Sequence, residues 1–213
     1  MKIGVLGTGM VGQTLATKLK SLGHDVVIGA REKGNDKAES WAAAQGGKAG
    51  TFADAAAHGE VILNCTIGSA SIAALGMAGE ANLAGKPLID VSNPLDFSQG
   101  MPPSLFVVNT DSLGERIQRA FPEARVVKTL NTVNAGIMVD PGRLADGDHS
   151  IFVSGNDAQA KTIVSGLLAE MGWKHIVDLG DIGTARGTEM YLALWVRLWG
   201  SLKIADFNVK VVT

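Results

Sequence analysis

The sequence predicts a doubly wound α/β fold, a mostly parallel sheet with helices on both faces and a short C-terminal helical extension. Three observations carry this. Short apolar runs with little alternation recur along the chain, the pattern of strands buried on both faces; helical patterns separate most of them; and the first run breaks at once into a glycine-rich turn.

Taken in order, the strand runs are Lys2 to Leu6, Asp25 to Gly29, Val61 to Thr66, Pro87 to Val91, Arg125 to Leu130, Ser150 to Ser154 and a last one near Trp173 to Val177. After the first, Val11, Leu15, Leu19 and Leu22 share one helical face, and Gly23 ends that helix. Late in the chain Ile163, Val164, Leu167, Leu168 and Met171 repeat the pattern ahead of Gly172. Both glycines stand where a helix C-terminus favours left-handed backbone. Alternating strands and helices with right-handed crossovers leave helices on both faces of one sheet. No repeat or low-complexity linker interrupts the pattern, so residues 1–213 read as one nucleotide-binding domain with 179–213 as its helical extension. The stretch Ser92 to Asp111, with Pro94, Pro102 and Pro103, is too long for an ordinary loop and reads as a candidate lid.

Composition narrows the function classes. The chain has 213 residues, 46% of them hydrophobic, and 19 Lys+Arg against 21 Asp+Glu give a net charge of −2. That is the make-up of a globular chain. Without a Lys/Arg run it offers no electrostatic footprint to nucleic acid or to an anionic membrane surface, so neither is an expected partner. The one cysteine, Cys65, forbids an intrachain disulfide and a thiolate zinc site, which fits a reducing compartment. The start reads as a folded strand instead of a signal peptide. The most apolar later stretch, Tyr191 to Ile204, contains Arg197 and Lys203 and is shorter than the roughly 20 residues that span a bilayer. Cytoplasmic residence is the expectation.

Gly7-Thr8-Gly9-Met10-Val11-Gly12 follows the first strand and opens the first helix, the context in which G-x-G-x-x-G signifies a Rossmann-type dinucleotide site. Gly7 permits the tight turn, Gly9 lets backbone approach a pyrophosphate, and Gly12 lets helix and strand pack closely. The helix N-terminus then offers free N–H groups and a positive dipole to the phosphates. The end of the second strand selects the nucleotide. An NAD site places a carboxylate there for the ribose hydroxyls, whereas this chain reads Ile28-Gly29-Ala30-Arg31. Small residues leave room for a 2′-phosphate and Arg31 pairs with it, so NADP is expected, with Lys33 or Lys37 as helpers and Glu32 as an opposing neighbour.

The four histidines, His24, His58, His149 and His175, lie in unrelated places, with no helical metal spacing and no Gly-x-Ser-x-Gly nucleophile. Cys65, within an apolar run, reads as an inert core thiol. No catalytic acid or base and no metal site is expected. A redox reaction between two bound nucleotides does without them, because they carry the chemistry and the protein supplies distance and orientation.

Several blocks together resemble the NADPH:coenzyme F-420 reductases, whose relatives include the cytosolic NADPH domain of the six-transmembrane ferric reductases. They are Gly7 to Gly12 with Gly23-His24-Asp25, Gly29-Ala30-Arg31, Asp90-Val91-Ser92-Asn93-Pro94, Val126-Val127-Lys128-Thr129-Leu130-Asn131, Ser154-Gly155-Asn156-Asp157 and Asp178-Leu179-Gly180. The resemblance implies that Thr8, Gly9, Met10 and Val11 hold the pyrophosphate, Ala30 and Arg31 the 2′-phosphate, and Thr66 and Ile67 the linking ribose region. It assigns Asn93, Pro94, Asn131 and Ala135 to the nicotinamide side. The archaeal deazaflavin reductases differ in having histidine where Asn131 stands and serine where Ala30 stands.

By the strand-end rule for such sheets, Thr66 to Ser69, Ser92 to Leu95 and Asn131 to Ala135 should meet in one crevice, the place for a small-molecule redox co-substrate. Leu95, Phe97, Met101, Leu105 and Phe106 of the lid either cover a flat ring there or pin the long loop to the core. Tyr191, Leu194, Trp195, Leu198, Trp199 and Leu202 recur at helical spacing, as core or as the seam of a homodimer. The leading function is hydride transfer between NADPH and a soluble deazaflavin, coenzyme F-420. The alternatives are NADPH-dependent reduction of a flavin, quinone, ferric chelate or small imine, and an NADP-sensing module without turnover.

Overall fold

A computed structural model describes residues 1–213. The first half alternates β1 (Lys2–Leu6), α1 (Met10–Ser21), β2 (Asp25–Ala30), α2 (Asp36–Gln45), β3 (Lys48–Thr51), α3 (Phe52–His58) and β4 (Val61–Asn64). It continues through α4 (Ser71–Ala78), α5 (Glu80–Leu83) and β5 (Pro87–Asp90) to a two-stranded hairpin, β6 (Leu95–Asp96) with β7 (Ser104–Leu105). Then come α6 (Leu113–Ala120), β8 (Arg125–Lys128), α7 (Ala135–Val139), β9 (Ser150–Gly155), α8 (Ala158–Met171), β10 (His175–Asp178) and α9 (Ala185–Leu202).

Eight strands form one sheet in the order β10-β9-β8-β5-β4-β1-β2-β3. From β3 to β8 all neighbours are parallel, and the order reverses between β1 and β4, the switch point at which such sheets bind ligands. β9 pairs with β8 antiparallel, with Lys128 opposite Ser154, and β10 follows β9 in parallel. The seven strands read from sequence all form, several one or two residues shorter at their C-terminal ends, and β3 is an addition. It is a four-residue edge strand, Lys48-Ala49-Gly50-Thr51, too poor in apolar residues to stand out. Thr51 and Asp54 then cap α3 reciprocally, the arrangement that starts a helix at once after a strand.

Two apolar layers sandwich the sheet. One gathers Leu15 and Leu19 of α1, Ile137 of α7 and Val164, Leu167 and Leu168 of α8; the other gathers Ala55 of α3, Leu75 of α4, Leu83 of α5 and Ile117 of α6. Past α9 the last residues turn back to the start of β9. Ser150 N donates to Val209 O (3.0 Å), Val211 N donates to Ser150 Oγ (3.1 Å), and Phe207 lies 5.2 Å from the Trp195 ring. No helix is long and apolar enough to cross a membrane.

Candidate active site

The turn after β1 is built by its glycines. Gly7 has φ +118°, a conformation L side chains rarely adopt, and its N–H donates to Gly29 O (3.0 Å), tying the turn to the β2 tip. A Cβ on Gly12 would stand 2.0 Å from Gly7 O, so only glycine lets α1 sit this close to the turn. A Cβ on Gly9 would meet nothing within 4 Å. Gly9 N-caps α1 without a side-chain cap, and the first turn of α1 holds no acid. The helix N-terminus therefore faces open space, the condition for receiving an anion.

At the β2 tip Ala30 is buried and Arg31 is exposed, with Lys33 and Lys37 exposed nearby. Arg31 takes part in none of the ion pairs of the chain, and Glu32 beside it is likewise unpaired. On the other side of β1, Val11, Cys65, Thr66, Ile67, Gly68, Val91, Ser92, Asn93, Leu95 and Phe97 line a cavity of about 180 Å³. The fingerprint helix and the tips of β4 and β5 thus share one wall.

The far end of the crevice is held by paired amides. Asn93 Nδ2 donates to Asn131 O (2.9 Å), and Asn131 Nδ2 donates to Asn93 Oδ1 (3.0 Å) and to Thr188 O of α9 (3.1 Å). Pro94 is buried behind Asn93, and its carbonyl accepts from Phe106 N (2.9 Å). Ala135 is buried at the first position of α7, whose cap is Asn134. The fourteen predicted residues therefore lie along consecutive strand tips: Ala30 and Arg31 at β2, Gly7 to Gly12 at β1, Thr66 and Ile67 at β4, Asn93 and Pro94 at β5, Asn131 and Ala135 after β8.

Beneath these tips lies a charge cluster whose role the sequence reading missed. Lys128, Asp90 and Glu189 are buried, with Lys128 Nζ 2.8 Å from Asp90 Oδ2 and 2.9 Å from Glu189 Oε1. Burial alone would depress the Lys128 ammonium, but the facing carboxylates of Asp90 and Glu189 outweigh it and hold the group above its ordinary range. The available signal was a lysine closing an apolar strand beside a strand that ends in aspartate.

The lid stretch is divided. Leu95 and Phe97 line the crevice, while Phe106 packs on the core beside the buried Val107. Met101 and Pro102 instead face α9 across a groove of about 730 Å³ with Val196, Trp199 and Lys203. Cys65 sits just past β4, and burial pushes its thiol up, with Asp90 adding to the effect, the opposite of the electropositive setting that favours a reactive thiolate. Each histidine is engaged elsewhere: His24 with Glu170, His58 with Asp25, His149 with Pro141 and Asn208, His175 with Asp148.

Similarity to known proteins follows the same lines. The family described as "NADP oxidoreductase coenzyme F420-dependent" matches residues 2–94. The F420-dependent NADP reductase of Methanothermobacter marburgensis is 30% identical over 226 residues, covering 99% of this chain and 98% of that protein. The chain belongs to the coenzyme F-420-dependent NADP oxidoreductases. A crystal structure from Arthrobacter sp. FB24, assigned provisionally to the same reductases, is 57% identical, covers all of both chains and superposes with a TM-score of 0.96. Metalloreductase STEAP3 of Rattus norvegicus is 30% identical over 203 residues, but the chain spans only 38% of its length.

Proposed function

We propose that this chain transfers a hydride between NADPH and coenzyme F-420. The observation that carries the reading is the order of chemistry along consecutive strand tips: an unpaired guanidinium at the β2 tip, an open helix N-terminus at β1 and an amide pair at β5 and β8. That order suits the 2′-phosphate, pyrophosphate and nicotinamide of one extended NADP.

Arg31 recognises the 2′-phosphate by charge and by its planar fork. The N–H groups of Met10 and Val11 at the start of α1 face the pyrophosphate across the space that Gly9 leaves open. Thr66 and Ile67 border the linking ribose, and Asn93, Pro94, Asn131 and Ala135 border the nicotinamide. Reduced nicotinamide supplies the hydride; the chain's own residues bind, orient and exclude water. Leu95 and Phe97 provide the apolar cover over the transfer. With both Nδ2 hydrogens of Asn131 engaged by Asn93 and Thr188, its amide holds position and needs no proton chemistry.

The deazaflavin assignment draws on the name of the Methanothermobacter relative, which spans the full chain. A second reading, reduction of a free flavin or ferric chelate, is favoured by the likeness to the metalloreductase. NADPH oxidation by the pure protein, with coenzyme F-420 and free flavin offered side by side, separates the two. Turnover with the deazaflavin alone is expected; turnover with flavin alone would transfer the assignment, and NADPH binding without turnover would leave a sensing module.

We also propose a cytoplasmic homodimer acting as one domain per chain. Leu194, Trp199, Leu202 and Ile204 on and just past α9 are about half exposed, an apolar stripe that a second copy would cover. Light scattering giving a monomer mass would refute the dimer.

A further inference from the structure

We infer that Lys128 and Glu189 are positioning residues for the nicotinamide end of the crevice, acting through a continuous buried polar chain that ties the tips of β4, β5 and β8 to α6 and α9. The inference rests on the proposed reading of Asn93 and Asn131 as the nicotinamide side.

The chain of contacts runs without a gap. Thr66 Oγ1 donates to Asn64 Oδ1 (2.6 Å), and Asn64 Nδ2 donates to Asp90 Oδ1 (2.9 Å). That same oxygen accepts from Ser92 Oγ (2.6 Å) and Ser92 N (3.2 Å). Lys128 then spends its three ammonium hydrogens on Asp90, on the carbonyl of Ser92 and on Glu189. Glu189 also accepts from Leu113 N (2.7 Å) and Gly114 N (2.9 Å), the opening of α6. One ammonium faces two carboxylates, and the surplus negative charge lies against the positive end of that helix. Every donor of the ammonium is matched, so the network is stiff.

Three members lie close in the chain to groups that shape the nicotinamide end. Ser92 precedes Asn93, Lys128 stands three residues before Asn131, and Glu189 follows Thr188, whose carbonyl receives the Asn131 amide. Between Lys128 and Asn131, Leu130 is held at φ +63° while buried, a conformation a bulky residue keeps only where its surroundings fix it. Apolar side chains of similar volume would hold α9 on the sheet about as well. They would not set where the Ser92 carbonyl and the Asn131 amide stand.

The test is Glu189→Gln in the full chain. Three donors surround this carboxylate, so the NH2 of the glutamine meets a donor and the junction loosens. The expected result is a kcat with coenzyme F-420 lower by about 10- to 100-fold, with the Kd for 2′-phospho-ADP-ribose, which lacks nicotinamide, within about twofold of wild type. The change in NADPH fluorescence on binding, whichever its sign, needs no acceptor and is expected to shrink as the ring loses its fixed seat. Lys128→Met, which strands two carboxylates, is expected to show the larger change; if it does not fold, Glu189→Gln decides alone. Unchanged kcat and fluorescence with only a lower Tm would overturn the inference, as would loss of 2′-phospho-ADP-ribose binding in parallel with kcat. A wild-type protein that leaves coenzyme F-420 unreduced would refute the proposed acceptor, while the fluorescence comparison would still decide the positioning role.

Discussion

At Gly9 a side chain would meet empty space, yet φ is −73° and fully ordinary. Gly9→Ala should therefore fold with an unchanged Tm while NADPH affinity falls at least about tenfold, roughly 1.4 kcal/mol, if the methyl enters the space proposed for the pyrophosphate. Gly12→Ala should do the opposite first. Its Cβ would stand 2.0 Å from Gly7 O, so thermal unfolding should show a loss of about 1 to 3 kcal/mol from overpacking. Arg31→Ala should weaken NADPH by about 1.5 to 3 kcal/mol and leave NADH binding unchanged; equal loss for both nucleotides, measured by titration calorimetry, would remove the 2′-phosphate role. The glycine-built turn and the exposed arginine at the β2 tip were legible in the sequence because a glycine's missing side chain and an arginine after small residues are local facts. The role of Lys128 was not, since its partners Asp90 and Glu189 stand 38 and 61 positions away and only the folded sheet and α9 bring them together.

Between elements, α9 is joined to α6 twice. Glu189 takes the first N–H groups of α6, and Arg186 grips Glu115 through two hydrogen bonds. The Arg186 guanidinium holds the Glu115 carboxyl below its usual range, against the opposing effect of burial and with help from Ser112. A lowered carboxyl contributes stability that is fully present above its unfolded pKa of about 4.3 and is lost as pH falls through the folded value. Melting curves of wild type and Glu115→Gln should thus differ at pH 7 and converge in acid below pH 4; a constant gap would contradict the pairing. The strands that escaped sequence reading share a physical cause. β3 has little apolar content, and the hairpin of β6 and β7 pairs only Leu95 with Leu105 and Asp96 with Ser104, too short to leave a pattern. The reversed direction of β9 left none either, because an apolar run reads alike in both directions. It is the 135–147 excursion through α7 that delivers the chain to the crevice end before β9 begins.

For the molecule as a whole, the rule that ligands lie at the carboxyl ends of parallel strands did most of the work. It led to the expectation that Thr66 to Ser69, Ser92 to Leu95 and Asn131 to Ala135 would meet, and the order β4-β5-β8 sets these segments side by side at one end of the sheet. Whether that array passes a hydride to a deazaflavin is tested most directly with NADPH deuterated on the transferred position of its nicotinamide ring. The pure protein should convert coenzyme F-420 to a reduced form one mass unit heavier than that made from ordinary NADPH. Oxidation of NADPH with no deuterium in the product, or no reduction of coenzyme F-420 at all, would contradict the account.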